Sequence, residues 1–439
     1  MQQKLSKSTK PVHERHSGIE LRYGLDDRLP ARETALYAMQ WLAMSLPFIV
    51  IVGAIAATHH SNDSGLRTLY LQKTTFATGL MLFGQALLGH RLTLVSGPAT
   101  VLLLGILESR TGPDAIYTAI AVCGTLLAIV SAAGLFSALR TIFTSRVTAT
   151  VVLLIAFTMT PMIVELLTVG DAGTCSVRLA FASGFVLALF LAHRLLPPAV
   201  RALLIVAGMA AGTALFSVIF GINGTVANQE TIASFFSGIT TPVFDIGTIL
   251  SFFFCFIALS LNEIGSIQAI TPLLRPDGMD GRVRRGMTLT GAVNAVAGLL
   301  GVIGPIDYSL SPGVIAASGC GSRFPLIPAA IILLLASFSP AVLSLAGIIP
   351  PAVVGSVLIY TLSGQISSGL TAAFNGKAFT FEDGMVIGLP LLAGTVTTQL
   401  PAALVDTFPA ILRPMAGNGF VVGVIAVLIL DRIFHRPVR

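Results

Sequence analysis

Glu263 lies within an apolar stretch, DIGTILSFFFCFIALSLNEIGSIQAITPLL, that is long enough to cross a bilayer. An ionisable side chain at membrane depth is costly, by at least roughly 2.5–3.5 kcal/mol on insertion scales. Such side chains usually face a protein interior or a water-filled cavity, where they mark a substrate or ion path. The ordinary alternative is a carboxylate near a helix end that water or a structural partner satisfies. A second polar stretch, GPIDYSLSPG, follows later in the chain and favours the functional interpretation.

Asp307 lies in that second stretch and, with Glu263, is the best candidate for binding a coupling ion. A carboxyl group in a low dielectric favours its neutral form, and this property suits a proton carrier. If both groups stay ionised together, a sodium ion becomes the better partner, because it too prefers oxygen ligands. No cofactor beyond H⁺ or Na⁺ is expected.

The motifs that would indicate an enzyme are missing from the sequence. It contains no P-loop, no HExxH and no GxSxG motif. Ser96 and Ser311 have no neighbouring histidine that could act as a base. The four cysteines form no CxxC pair and have no metal-ligand spacing, so we predict no metal site.

The composition is that of a membrane protein. The chain has 439 residues, of which 54% are hydrophobic and only 10% charged, and its mean hydropathy is +0.87. A soluble protein carries about 25% charged residues. We therefore predict an all-α polytopic membrane protein, and we read the net charge of +6 as a consequence of membrane topology rather than of nucleic-acid binding.

Fourteen apolar segments are predicted, of which two are too short to span a bilayer in a single helix. They lie at 34–57, 68–89, 93–108, 115–138, 147–168, 174–193, 199–221, 243–270, 285–303, 307–319, 324–348, 350–369, 383–400 and 414–434. An even number of crossings puts both termini on one side of the membrane. The polar N-terminal tail, residues 1–33, has no signal-peptide pattern, so we expect that side to be the cytoplasm.

The basic residues agree with this topology. Cytoplasmic loops of membrane proteins carry an excess of Lys and Arg. Of the 26 Lys and Arg residues, those that fall on the other side are Arg67, Lys73, Arg110, Arg178 and Arg413. An odd number of crossings would spoil this agreement, so we expect a multi-pass protein of the inner (plasma) membrane with both termini cytoplasmic.

The two short segments, 3 and 10, begin LTLVSGPATVLLLGI and GPIDYSLSPGVIAASG. Each opens with an extended stretch, continues with a Ser-Gly-Pro or Ser-Pro-Gly triplet and ends in a brief helix. They are third in the first seven and third in the second seven segments, as in a 7+7 inverted repeat. Paired interrupted segments of this kind point to a transporter's binding site, because their helix N-termini face a common space. The alternative is two surface re-entrant loops without a ligand.

At these segments the chain resembles the nucleobase–ascorbate transporter family, the uracil and xanthine permeases, over residues 20–434. The LDDRLP stretch before segment 1 is part of the resemblance. The family signature in segment 10 reads Gln, Glu or Pro, then Asn, any residue, Gly, four residues, Thr, and Arg, Lys or Gly. The matching positions here are Leu310, Ser311, Pro312, Gly313, Ser318 and Gly319. Both glycines fit and Ser318 keeps a hydroxyl, whereas Leu310 and Ser311 depart from the pattern.

Two further family positions have changed. Segment 1 of the family carries Gln-His, and here the pair is Gln40-Trp41. Segment 8 of the family carries a substrate-binding Glu three residues before a Gly. Alignment on Gly265 puts Asn262 there and moves Glu263 one residue, or about 100°, around the helix. The resemblance thus implies that Asn262 reads a nucleobase edge, while Glu263 faces the ion path or a neighbouring segment.

The resemblance also implies an architecture. Segments 1–4 (34–138) and 8–11 (243–348) would form a core domain, and segments 5–7 (147–221) and 12–14 (350–434) a gate domain. The two domains would move against each other in alternating access. Gate contacts would form a homodimer.

From these features we predict an ion-coupled symporter for a nucleobase or similar planar heterocycle, such as uracil or xanthine. The predicted substrate-binding residues are Gln40, Trp41, Ser96, Gly97, Asn262, Glu263, Ser311, Pro312 and Gly313. Trp41 would either stack on the base or anchor segment 1. One alternative is an anion transporter of the sulfate/bicarbonate type, which shares the fold and would bind its ligand at the helix N-termini. The other is a non-transporting membrane scaffold or receptor.

Overall fold

The computed structural model describes residues 15–16, 19–61, 63–134, 144–168, 172–197, 204–221, 235, 240–308, 311–344, 348–374, 379–409 and 411–434. Several parts of the sequence interpretation lie outside these residues. They are most of the N-terminal tail (residues 1–14), parts of predicted segments 4, 7 and 11 (135–138, 199–203 and 345–347), and Leu310, the first position of the family signature in segment 10.

Helices make up most of the described chain. They are α1 Ala31–His60, α2 Ser64–Leu87, α3 Thr100–Glu108, α4 Pro113–Ala132, α5 Ser145–Thr158, α6 Thr160–Thr168, α7 Ala172–Leu195, α8 Leu204–Phe220, α9 Ile246–Leu274, α10 Met279–Leu299, α11 Ser311–Ser318, α12 Leu326–Ala336, α13 Pro340–Ser344, α14 Pro351–Ala373, α15 Phe381–Thr398, α16 Ala402–Val405, α17 Arg413–Ala416 and α18 Gly419–Ile433. Short strands pair as β1 Arg15–His16 with β2 Ile19–Glu20, and as β3 Ser96–Pro98 with β4 Pro305–Asp307.

Every predicted apolar segment contains a helix. Among the described residues, six helical stretches are long and apolar enough to cross a membrane, namely Ala31–His60, Pro113–Ala132, Ser145–Thr168, Cys175–Leu195, Ile246–Thr271 and Pro351–Thr371. The chain is thus a multi-pass membrane protein. Segments 5, 11 and 14 each contain two helices, a division that the sequence did not predict. In segment 11 the second helix begins at Pro340, and a proline disfavours helical geometry in the residue before it.

Many helices begin at a side chain that accepts a backbone N–H. Asp63, Thr144, Asp245 and Asn418 cap α2, α5, α9 and α18 in this way, with acceptor distances of 2.7–3.2 Å. These caps satisfy N–H groups that have no partner inside the helix. The starts of the predicted segments are therefore encoded locally in the sequence.

Glycines allow α4 and α10 to pack with their backbones in close contact. A Cβ atom on Gly124 would lie 2.6 Å from the backbone nitrogen of Ala295, and one on Gly291 would lie 2.7 Å from the carbonyl oxygen of Gly124. Small residues at such a contact let van der Waals packing replace the hydrophobic effect, which is weak between helices in lipid. This helix pair forms one wall around the centre of the molecule.

The two broken segments cross as a small antiparallel sheet at that centre. Ser96 lies opposite Asp307, Gly97 opposite Ile306, and Pro98 opposite Pro305. The Tyr308 N–H donates to Val95 O at 2.8 Å, and the Ala99 N–H donates to Gly304 O at 2.9 Å. Hydrogen-bonded pairs alternate along such a ladder, so the two prolines occupy a position that needs no N–H donor.

The extended openings predicted for segments 3 and 10 are paired strands, which the all-α prediction did not include. The sequence reading placed Ser96 and Gly97 at a helix N-terminus, but they lie in β3, and α3 begins only at Thr100. The extended stretches contain prolines and would leave backbone groups unpaired at membrane depth. Pairing with each other satisfies those groups without water.

The segment before α1 lies across the end of α11. The Arg22 N–H donates to Gly319 O at 2.7 Å, and the Gly321 N–H donates to Tyr23 O at 2.8 Å. The Arg323 guanidinium reaches the Asp26 carboxylate at 2.8 Å. The LDDRLP stretch thus has a structural role, holding the loop that follows α11.

Candidate functional site

The β3–β4 crossing brings Ser96 and Asp307 together. Both residues are completely buried, and the Ser96 hydroxyl donates to Oδ1 of Asp307. They occupy a non-hydrogen-bonded position of the ladder, where opposed side chains lie closest. The contact between the two broken segments is therefore made by side chains as well as by backbone.

Glu263 points from α9 toward the same strand. It is completely buried. Its Oε2 accepts the backbone N–H of Asp307 at 3.1 Å, and its Oε1 accepts the Thr290 hydroxyl at 2.9 Å. One turn further along α9, the Ser266 hydroxyl donates to the carbonyl oxygen of Asp307 at 2.9 Å. Glu263 thus faces α10 and β4.

His90 completes a triad with the two carboxylates. It lies just after α2 and is completely buried. Its Nε2 lies 2.7 Å from Oδ2 of Asp307, and its Nδ1 accepts the backbone N–H of Leu92 at 2.9 Å. His90 offers a ring nitrogen, and Glu263 and Asp307 each offer a carboxylate oxygen. These three atoms lie within 4.8 Å of one another.

A ring of hydrogen bonds connects the triad through Gln85 and Thr290. Gln85 Oε1 accepts the backbone N–H of His90 at 3.1 Å, and its Nε2 donates to Thr290 Oγ1 at 3.0 Å. The Thr290 hydroxyl reaches Glu263, and Glu263 accepts the Asp307 N–H, which closes the ring. Groups from α2, α9, α10 and β4 thereby hold one another in position.

The two carboxylates of the triad lie close together away from water. If both were ionised in this low dielectric, they would repel each other strongly. The Arg282 guanidinium donates to the carbonyl oxygens of His90 and Arg91, both at 3.0 Å. A proton or another positive charge between the carboxylates would relieve their repulsion.

Asn262 lies beside this ring. It is half-buried, and at 100° per residue it points between the direction of Ser266 and that of Gly265. Ser266 contacts β4, whereas a Cβ atom on Gly265 would lie 3.8 Å from Thr148 of α5. Asn262 therefore faces the boundary between β4 and α5.

Tyr308 fills the space next to Gly97. Its hydroxyl donates to Pro98 O at 2.8 Å, and its ring centroid lies 4.6 Å from that of Phe48. A Cβ atom on Gly97 would come within 2.7 Å of Tyr308 Cζ. The absence of a side chain at position 97 thus makes room for an aromatic ring at the crossing.

The sequence matches a known protein family. Residues 32–403 match the model Xan_ur_permease, described as "Permease family". The chain belongs to this permease family. The family that the sequence resemblance implied is confirmed, and the permease is a transporter rather than an enzyme.

Several named proteins are similar to the permease. It is 27% identical over 340 residues to the nucleobase transporter PlUacP of Paenibacillus larvae, covering 74% of this chain and 76% of that protein. It is 24% identical over 467 residues to the xanthine permease XanP of Escherichia coli strain K12, and the alignment covers 98% of this chain and 97% of that protein. Its fold is similar to the transmembrane domain of the cyanobacterial bicarbonate transporter BicA, with a TM-score of 0.62 and 14% identity over 84% of this chain and 97% of that chain.

The predicted site residues of the permease fall into two groups. The crossing brings together Ser96, Gly97, Glu263, Asp307 and Ser311, the last of which accepts the Val95 N–H at 3.0 Å. Pro312 and Gly313 follow in the first turn of α11.

Gln40 and Trp41 lie on α1 rather than in the ring. Trp41 is 1% exposed and packs in an apolar cluster with Leu94, Ile267 and Val314. Gln40 is half-buried. His90 was not among the predicted site residues. Its place in the GHRLTLVSGP stretch, immediately before and within the start of segment 3, could have indicated it.

Proposed function

We propose that this permease carries a nucleobase or a similar planar heterocycle, such as uracil or xanthine, across the inner (plasma) membrane by symport with a cation. The observation that carries the proposal is the buried pair Glu263 and Asp307 at the crossing of the two broken segments. Relatives named as nucleobase and xanthine transporters support the substrate class.

We propose fourteen crossings in a 7+7 inverted repeat, with core and gate domains as the sequence implies. The antiparallel register of β3 and β4 supports the repeat, since equivalent parts of two inverted halves run in opposite directions where they meet. The helices α3 and α11 leave the crossing at opposite ends. In this topology both termini are cytoplasmic, and gate contacts form a homodimer.

The substrate would lie beside Asn262, in the space bounded by β4, the start of α11 and α5. The Asn262 amide offers both a donor and an acceptor to a base edge. The Tyr308 ring, which packs on Phe48 at the crossing, would present an apolar, aromatic wall to a planar ligand. Gln40 would contribute from α1, and Trp41 would anchor that helix against the core.

The coupling ion would be held between Glu263 and Asp307. A proton neutralises the repulsion between the two carboxylates and needs no further ligands. Sodium is the alternative, because the same oxygens can coordinate it. In either case the ion and the substrate would occupy adjacent parts of one site, which allows the binding of one to favour the binding of the other.

Anion transport is the second candidate, and the fold similarity to a bicarbonate transporter is the observation that favours it. That similarity concerns the fold alone. The buried carboxylates oppose it, because Glu263 and Asp307 would repel an anion at the crossing when they are ionised.

A ligand screen separates these two functions. The purified permease should be stabilised thermally by uracil, xanthine or a related base, and not by sulfate, bicarbonate or oxalate. Asn262→Ala should weaken the stabilisation by the base. The matched control is Gln268→Ala, which removes an exposed amide from the same helix. Stabilisation by anions alone would overturn the proposed function.

A further inference from the structure

His90 has a role that neither the family resemblance nor the relatives assign. We infer that it is a positioning residue that stays neutral, donates a hydrogen bond to Asp307 and leaves the exchangeable proton to the carboxylate pair Glu263 and Asp307. This inference rests on the proposed proton symport and excludes the imidazole as the proton carrier.

The tautomer of His90 follows from its two contacts. The Leu92 backbone N–H can only donate, so Nδ1 must present a lone pair to it at 2.9 Å. The single proton of the neutral ring therefore sits on Nε2 and points at Oδ2 of Asp307, 2.7 Å away. A protonated ring would carry a hydrogen on Nδ1 as well, and this hydrogen would face the Leu92 N–H.

The charged groups around the ring come from three elements. Asp307 lies on β4, Glu263 on α9, and Arg282 on α10, where its guanidinium binds the carbonyl oxygen of His90 itself. The carboxylates favour an imidazolium and Arg282 opposes it. The donor at Leu92 decides between them, because it is part of the backbone and cannot reverse its role.

Asp307 accepts one donor on each oxygen. Ser96 donates to Oδ1, and His90 donates to Oδ2. Glu263 likewise accepts the Thr290 hydroxyl on Oε1 and the Asp307 N–H on Oε2, and each oxygen of both carboxylates retains a second lone pair. A proton can therefore bind the carboxylate pair without displacing any of these donors and without entering the imidazole, and on release it passes from the carboxyl group to water.

Two amide substitutions separate the positioning role from a carrier role. His90→Gln places an amide N–H near the position of Nε2, whereas His90→Asn reaches only as far as Nδ1. In proteoliposomes with an imposed proton gradient, H90Q should accumulate labelled base within about threefold of wild type, with the same pH profile. H90N should accumulate labelled base at about one tenth of the wild-type level or less, a loss in the range expected for one buried charge-assisted hydrogen bond. His59→Gln, at the exposed end of α1, is the neutral control.

Loss of accumulation in H90Q with retained exchange of bound base would show that His90 itself carries the proton and would overturn the inference. Accumulation by H90N at the wild-type level would do the same. If neither variant folds, ¹⁵N NMR of the wild-type imidazole decides, with the neutral Nε2–H tautomer expected near neutral pH and an imidazolium contradicting it. A wild type that moves no base refutes the proposed function instead, and the NMR result still stands for His90.

Discussion

The Glu108 carboxylate accepts the backbone N–H of Gly419 at 2.5 Å, so the last residue of α3 caps the first turn of α18. A negative charge is favourable at a helix N-terminus. In the proposed architecture α3 belongs to the core and α18 to the gate, and this bond joins the two domains. Any motion that separates them at this end must break it.

Substitution of Glu108 should therefore weaken that junction. Glu108→Gln keeps an acceptor for the Gly419 N–H, and we expect it to change the free energy of unfolding by less than about 1 kcal/mol. Glu108→Ala removes the acceptor and should lower the free energy of unfolding by about 1–2 kcal/mol. Thermal unfolding of the detergent-solubilised protein measures both effects. Asp406→Asn, which disrupts the exposed pair with Arg110, is the control and should change little. Equal effects of all three would contradict the capping role.

The space at Gly97 gives a steric prediction. Gly97→Ala would push its methyl group into the Tyr308 ring, and overpacking of this kind typically costs about 1–3 kcal/mol. Because Tyr308 follows β4 directly, we also expect uptake to fall. Gly112→Ala, in open space before α4, should leave both stability and uptake unchanged. Wild-type uptake by G97A would show that the ring has room to move.

The packing of α4 against α10 gives a second steric prediction, at a distance from the site. Gly291→Ala would place a methyl group against the backbone of α4 and separate the helices. We expect a loss of stability of about 1–3 kcal/mol, measured by thermal or denaturant unfolding. Gly388→Ala, where no atom lies within 4 Å of the added methyl, is the matched control. A neutral G291A would mean that the contact tolerates wider spacing.

The sequence predicts best those features that depend on residues close together in the chain. Apolar length located the helices, and capping residues such as Asp245 encode where they start. The cost of burying charge singled out Glu263 and Asp307. The breaks in segments 3 and 10 were visible because prolines and glycines interrupt otherwise apolar runs.

Contacts between distant parts of the chain were not predictable in this way. His90 and Asp307 are separated by 217 residues, and Gln85 and Thr290 by 205. No local pattern pairs such residues, and the register of β3 on β4 depends on how the two halves pack. The alignment on Gly265 separates Glu263 from the position of Asn262 by about 100°, because helix geometry relates adjacent residues by a known angle.

Proton-driven uptake with Glu263→Gln tests the account most directly. The glutamine keeps the size and hydrogen-bonding capacity of the carboxyl group but cannot release a proton. Glu165→Gln, an exposed carboxylate on α6, serves as the control. In proteoliposomes, wild type and E165Q should accumulate labelled uracil or xanthine when a proton gradient is imposed. E263Q should exchange bound base yet fail to accumulate it, and gradient-driven accumulation by E263Q at the wild-type level would contradict the assignment of Glu263 as the carrier.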